Sequence, residues 1–250
     1  MNLFDLSGKV AVVTGGNRGL GAAIAEGYAA SGAAVAVIST KHSRAVEENL
    51  KSLTTSAKSY GFDLKNFDKY QELIDEILSD FGTIDILVNC AGVQRRSPAV
   101  DFPVEDWDFV SDINLKSPFL LCQSAGKIML EKGSGKIVNI ASLLSFQGGI
   151  TVPAYAAAKS GVSGFTKSLS NEWAKHGINV NCIAPGYFAT DMNEALINDE
   201  NRYRQITERI PAGRWGQPKD IVGAAIFLAS NASDYINGFT LAVDGGWLGR

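Results

Sequence analysis

The chain is poor in histidine and in paired cysteine: 250 residues carry two His and three Cys, with no Cys-x-x-Cys among them. A zinc centre draws three or four ligands largely from these residue types, so no metal is expected. The same scarcity weighs against serine hydrolysis, because Ser142 lacks a Gly-x-Ser-x-Gly elbow and the only histidine bases are His42 and His176. Cys90, Cys122 and Cys182 are odd in number, far apart and in apolar contexts, which reads as reduced thiols of a cytoplasmic protein. A basic surplus is missing too. Lys and Arg number 23 against 26 Asp and Glu, a net charge of -3, which offers no stripe for nucleic acid and makes small molecules the expected partners. No uncharged apolar run reaches about 18 residues, and MNLFDLSGKV has no basic region followed by an apolar one, so neither a membrane span nor an export signal is expected. Internal repeats and low-complexity segments are also lacking.

What the chain does have is hydrophobic residues, 46% of the total, in short β-branched runs that alternate with helical patterns. Strands are predicted at 9–14, 33–39, 57–62, 84–90, 136–142, 179–184 and 239–243, within a single domain over 1–250. That alternation predicts a doubly wound α/β fold, a parallel sheet joined by right-handed crossovers with helices on both faces. One long helix is predicted over 103–131, and another carries an Ala-rich run on to His176. Segment 187–217 breaks the rhythm: it is polar, ends in Pro211-Ala-Gly-Arg-Trp-Gly216, and is a candidate lid beyond a strand's C-terminal end.

The first strand runs straight into GGNRGLG and a helix. Gly15, Asn17, Arg18, Gly19 and Leu20, with Gly21 behind them, form a candidate cradle in which backbone meets a pyrophosphate at a helix N-terminus. No Gly-Lys-Ser/Thr closes the turn, so a P-loop is excluded. At the end of the second strand an acid would bond a ribose and repel a 2'-phosphate, but the residues are Ser39, Thr40 and Lys41. Together with Arg18 they favour NADP(H) on charge; the alternative keeps Arg18 and Lys41 as solvated charges and NAD(H) on backbone contacts. Asp63, with Leu64 beside it, is placed either to accept from an adenine amino group or to form a turn. The strand 84–90 ends in Ala91-Gly92, a second small-residue turn at the same edge of the sheet.

The reactive groups come later. Tyr155 and Lys159 are spaced i and i+4, so they leave one face of a helix, and an ammonium beside the phenol would lower its pKa towards general acid–base use. The preceding strand delivers the Ser142 hydroxyl to the same place. Alone, a Tyr and Lys four apart describe equally a packed aromatic and a snorkelling lysine. Asn114 is an uncomfortable amide inside the predicted long helix, able to exchange backbone hydrogen bonds with water. Arg95 and Arg96 are adjacent in a loop; either both are solvated, or one faces the cleft with a fork suited to a carboxylate.

In order and spacing, Thr14–Gly21, Asn89-Cys-Ala-Gly92, Asn114, Ser142 with Tyr155-Ala-Ala-Ala-Lys159, and Pro185-Gly186 with Thr190 resemble the short-chain dehydrogenase/reductase family over nearly the whole chain. The resemblance implies a Rossmann-type sheet of seven parallel strands, a homotetramer, and a catalytic tetrad of Asn114, Ser142, Tyr155 and Lys159. It also implies a nicotinamide coenzyme, NAD(P)(H), held by Asn89, Tyr155, Lys159, Ile183, Pro185-Gly186 and Thr190. Four further stretches, 94–96, 141–149, 171–176 and 210–216, resemble the members of that family that interconvert a ketone and a secondary alcohol on a sugar acid, a branch that implies NAD(H). In that branch Arg95, Arg96 or Arg214 would clamp the substrate carboxylate, with Phe146, Gln147 and Trp215 along its carbon chain. Cys90 stands where the family has a second Asn. The runner-up is a reductase of another carbonyl, such as a 3-oxoacyl thioester, and a dinucleotide-sensing binding protein is a third reading.

Overall fold

A computed structural model describes residues 2–54 and 56–250. Seven strands form one parallel sheet: β1 (Val10–Thr14), β2 (Ala34–Ser39), β3 (Ala57–Gly61), β4 (Ile86–Asn89), β5 (Gly135–Ile140), β6 (Ile178–Pro185) and β7 (Thr240–Val243), in the order β3-β2-β1-β4-β5-β6-β7. The expected fold class is borne out, with boundaries shifted by one or two residues. Side chains alternate between two cores, as a pleat of period two requires. Val13, Val35 and Val88 pack with Ile24, Tyr28 and Leu228 on one face, while Val12, Ile38 and Leu87 pack with Ile77, Leu121 and Met129 on the other. The helices that cover these faces are α1 (Gly19–Ala30), α2 (Arg44–Lys51), α3 (Tyr70–Phe81), α4 (Val104–Ser111), α5 (Ser117–Lys132), α6 (Pro153–Trp173) and, last in the chain, α9 (Val222–Ala229), while α7 (Glu194–Ile197) and α8 (Glu200–Arg209) lie beyond β6 in a cluster of their own.

The chain winds outward from β1 in both directions, to β2 on one side and to β4 on the other. Helices leaving these two strands diverge, and a crevice opens at the strand C-termini between them.

The predicted helix over 103–131 is borne out as one helical run in which a π turn, Asp112–Lys116, separates α4 from α5, because Asn114 turns its amide onto the backbone of the loop after β4. The candidate lid, segment 187–217, is packed against its neighbours. Its ends are tied by Gly216 N to Tyr187 O at 2.9 Å and Ala189 N to Gly216 O at 2.8 Å, and Ile206, Ile210 and Trp215 bury themselves against Leu143 and Trp247.

At the opposite end of the sheet, the buried Asp85 carboxylate accepts Val10 N at 2.8 Å and the Lys132 ammonium, so one side chain ties β1, β4 and α5 together. Asp85→Ala leaves the buried Val10 N–H unmatched and Lys132 without its carboxylate, and is expected to cost about 2–3 kcal/mol in urea unfolding, with kcat within twofold of wild type because the site lies at the other edge. Stability within about 0.5 kcal/mol of wild type would show that the clasp contributes little.

Candidate active site

The floor of the crevice is fixed by Thr14, the first residue of the Thr14–Gly21 motif, to which the sequence assigned no role of its own. Its hydroxyl oxygen accepts from Cys90 N and Ala91 N, both at 3.0 Å, and so binds the end of β1 to the turn after β4. Gly15 follows at φ +67, where a Cβ would lie 2.9 Å from Ala91 Cα. A Cβ on Gly21 would stand 2.3 Å from Gly15 O, so the first turn of α1 lies directly on the glycine loop. The result is a bare backbone cradle facing a helix N-terminus that no side chain caps. Thr190 closes the far side, its Cγ2 3.7 Å from where a Cβ on Gly19 would sit, and Met192 comes equally near Gly92. Pro185-Gly186 ends β6 and hands the chain to this wall, with Gly186 N donating to Val243 O at 2.9 Å.

The reactive groups stand at the same edge. Ser142 follows β5 in extended backbone, and its hydroxyl accepts from Leu144 N at 3.2 Å. Tyr155 and Lys159 lie on α6, whose buried face is polar. Thr166 accepts from Asn139 Nδ2 at 2.9 Å and from the Cys182 thiol at 3.1 Å, and Ser163 pairs with Thr240 at 3.0 Å. These directional bonds fix the rotation and register of α6 more tightly than apolar packing would. Asn114 is fully buried and uses both ends of its amide on one residue, accepting Val93 N at 3.0 Å and donating to Val93 O at 2.8 Å.

The electrostatics differ from the sequence reading. Burial pushes the Tyr155 phenol up to about 12, against the Ser142 hydroxyl, which draws it down, and against the charge of Arg96. Lys159 does not lower it here. Its ammonium donates to Ile140 O at 2.6 Å, stands 5.7 Å from the Tyr155 ring centre, and is itself pushed down to about 8 by burial. Desolvation dominates both groups, raising the phenol and lowering the amine.

Arg96 is exposed, its Nη2 donating to Gln94 Oε1 at 2.8 Å. The other two clamp candidates are engaged elsewhere. Arg95 pairs with Asp106 at 3.2 Å and stacks on Phe109, and Arg214 pairs with Asp220 at 2.6 Å. Trp215 is buried in the lid cluster, stacked on Tyr203 and donating to Thr207 Oγ1 at 2.9 Å, so its face is not open to a carbon chain. Phe146 is exposed, and Gln147 accepts from Trp247 Nε1 at 3.3 Å.

Several coenzyme candidates also shift. The Asn89 side chain turns into the core, where Nδ2 donates to Asn139 Oδ1 at 2.8 Å, and Ile183 is wholly buried with its carbonyl taken by Ala141 N. Asp63 accepts Lys65 N at 3.0 Å, which is the turn-forming alternative, and Leu64 packs in the core beside it. Ser39 is buried and donates to Lys41 O at 2.8 Å, leaving Thr40 and Lys41 exposed at the rim. Arg18 stands at the mouth of the cradle, paired with Asp191 at 3.1 Å across the crevice.

A side-chain-free cradle on a helix N-terminus, at the switch point of a doubly wound sheet and beside a Ser, Tyr and Lys group, fits a nicotinamide dinucleotide and defines an oxidoreductase of the Rossmann type. The family model described as "Enoyl-(Acyl carrier protein) reductase" matches residues 15–248. The chain belongs to the short-chain dehydrogenase/reductase family, whose members use NAD(P)(H) on CH-OH groups. It is 51% identical to the 2-dehydro-3-deoxy-D-gluconate 5-dehydrogenase of Escherichia coli K12, over 100% of this chain and 99% of that one. Among solved structures, it superposes with TM-score 0.92 on an Agrobacterium tumefaciens protein described as a putative 2-deoxy-D-gluconate 3-dehydrogenase with bound NADP, 51% identical over the whole of both chains. A gluconate 5-dehydrogenase from Burkholderia cenocepacia, in complex with NADP and tartrate, matches with TM-score 0.92 and 40% identity over 100% of this chain and 98% of that one.

The depressed Lys159 pKa has a thermodynamic consequence. The folded chain releases this proton near pH 8, whereas the unfolded chain keeps it to an ordinary lysine value, so the cost of burying the lysine is full below pH 8 and falls as the pH rises from there towards that value. Between pH 8 and pH 10 the wild type is expected to gain stability relative to Lys159→Met in urea unfolding without coenzyme. Parallel pH profiles for the two proteins would contradict this.

Proposed function

We propose that the protein interconverts a ketone and a secondary alcohol on a sugar acid, as a 2-dehydro-3-deoxy-D-gluconate 5-dehydrogenase does. The observation that carries the reading is the Arg96 guanidinium, exposed on the loop that follows β4 and held by Gln94, a fork suited to a carboxylate. A neutral ketone or an acyl thioester would give that charge nothing to meet. The names of the full-length relatives support the same substrate class.

In this mechanism Tyr155 exchanges a proton with the substrate oxygen, and Ser142 hydrogen-bonds that oxygen as charge develops on it. When bound, the nicotinamide supplies or accepts the hydride. Lys159, with its lowered pKa, would hold the nicotinamide ribose and, once desolvation is shared with coenzyme and substrate, draw the phenol down. Asn114 positions Gly92 and Val93 through its two amide bonds, and the π turn that it occupies frees backbone carbonyls for a proton-carrying water. The coenzyme would lie along Gly15, Asn17, Arg18, Gly19, Leu20, Ala91, Gly92, Pro185-Gly186 and Thr190. We favour NADP(H), because Arg18 and Lys41 are exposed at the adenosine end and no carboxylate ends β2. Phe146, Gln147 and Arg96 would line the substrate side.

The chain would act as one domain, with 187–217 as the wall over the substrate. Exposed Val100, Val104, Trp107 and Phe119 on and around α4 and α5 suit burial between copies and support a homotetramer. No helix among the described residues is long and apolar enough to cross a membrane, which agrees with a cytoplasmic enzyme.

Tyr155→Phe keeps the packing and removes the proton donor, so kcat should fall at least about 100-fold with melting temperature nearly unchanged. Near-normal turnover would end this mechanism. A panel of keto sugar acids with NADPH and NADH in parallel tests substrate and coenzyme together. Arg96→Met should raise KM for the acid by about tenfold or more while leaving the coenzyme Kd alone, and a preference for NADH would overturn the coenzyme assignment.

A further inference from the structure

The C-terminal turn brings an indole to the substrate side of the cleft. Asp244 organises it, its carboxylate accepting Gly246 N at 2.8 Å and Leu248 N at 2.9 Å, with Gly245 and Gly246 both at positive φ. Trp247 is thereby buried against Leu143, the residue after Ser142. Its ring is held by the Arg209 guanidinium, 4.0 Å above it, and by Tyr187 at 4.8 Å between ring centres. In that pose Nε1 donates to Gln147 Oε1 at 3.3 Å, a contact that joins positions 100 residues apart.

The chemistry of that bond fixes a direction. An indole N–H can only donate, so whatever atom of the Gln147 amide faces it must be the oxygen. Gln147 Nε2 then points away from Trp247 and makes no hydrogen bond among the described residues. Gln147 lies in the turn after Ser142, partly exposed, its own N–H donating to Leu143 O at 3.1 Å. An amide able to rotate would offer a substrate either a donor or an acceptor. This one has its oxygen engaged by Trp247 and presents a pair of N–H donors on the other side.

We propose that Trp247 is a positioning residue for substrate selection: by holding the Gln147 oxygen, it turns the Gln147 amide nitrogen to the cleft as a donor for the anionic or acceptor-rich end of the substrate. The inference rests on the sugar-acid reading and adds to it a second recognition element, separate from the Arg96 charge. It also gives the C-terminal turn, outside the residues implicated by the resemblance, a part in specificity.

The test uses the full chain with NADPH, a keto sugar acid and the corresponding neutral ketose. Trp247→Phe keeps the ring in its pocket and removes the donor, so the Gln147 amide is free to rotate. KM for the acid should rise about fivefold to tenfold, carried by KM rather than kcat, with a smaller rise for the neutral ketose. Gln147→Glu keeps an acceptor for Trp247 but turns an anionic oxygen to the substrate, and should raise KM for the acid by at least about tenfold while sparing the ketose. Equal losses on both substrates, or a loss in kcat alone, would reduce Trp247 to a packing residue and overturn the proposal. If Trp247→Phe fails to fold, Gln147→Glu decides: unaltered use of the acid refutes the donor role. A wild type that takes the neutral ketose as well as the acid refutes the sugar-acid reading itself, an outcome read before either variant is made.

Discussion

An ammonium enclosed in protein loses most of its hydration, and Lys159 has a single short bond to Ile140 O in return. The arrangement persists because α6 is held by other means. The Asn139, Cys182 and Thr240 contacts to Thr166 and Ser163 run along the same buried face, so that the helix cannot rotate to release the lysine without breaking them. Their geometry places the Tyr155 phenol one turn earlier, at the mouth of the crevice. Both groups are consequently poised away from their solution pKa values, the phenol upward and the amine downward. Each shift disfavours the charged form, as desolvation requires.

The backbone frame was largely legible in the residues. Runs such as Ile86–Asn89 without polar alternation announce strands covered on both faces, and GGNRGLG after a β-branched run announces the first crossover. These are local signals, and each was read from a handful of neighbours. Side-chain direction was less legible, because the partner that decides it is distant in sequence. Arg95 turns to Asp106, Arg214 to Asp220, Asn89 to Asn139 and Trp215 to Tyr203 and Thr207. Nothing in a pair of adjacent arginines says which one will find an aspartate on the next helix. The π turn was hidden for the same reason: Asn114 looked like a poor helix former, and only the fold shows Val93 across from it. Thr14 and Trp247 left a faint signal, a hydroxyl at a strand end and an aromatic after Gly-Gly, each too common to single out.

The lid illustrates how composition misleads about mobility. Segment 187–217 reads as polar, yet its few apolar residues are gathered onto one side, where Ile206, Ile210 and Trp215 meet Leu143 and Trp247. Its two ends are hydrogen-bonded to each other. Two parts of the chain far apart in sequence, the segment 187–217 and the turn bearing Trp247, thus both lean on the residue next to Ser142.

The contact between Gly15 and Ala91 reaches beyond the present molecule. The two residues belong to different βα units, yet a methyl at 15 would press on the main chain at 91, and Thr14 keeps those turns from drawing apart. Across descendants of this sequence, drift at the two positions is therefore confined together to the smallest side chains, however freely the surrounding rim diversifies to suit new substrates.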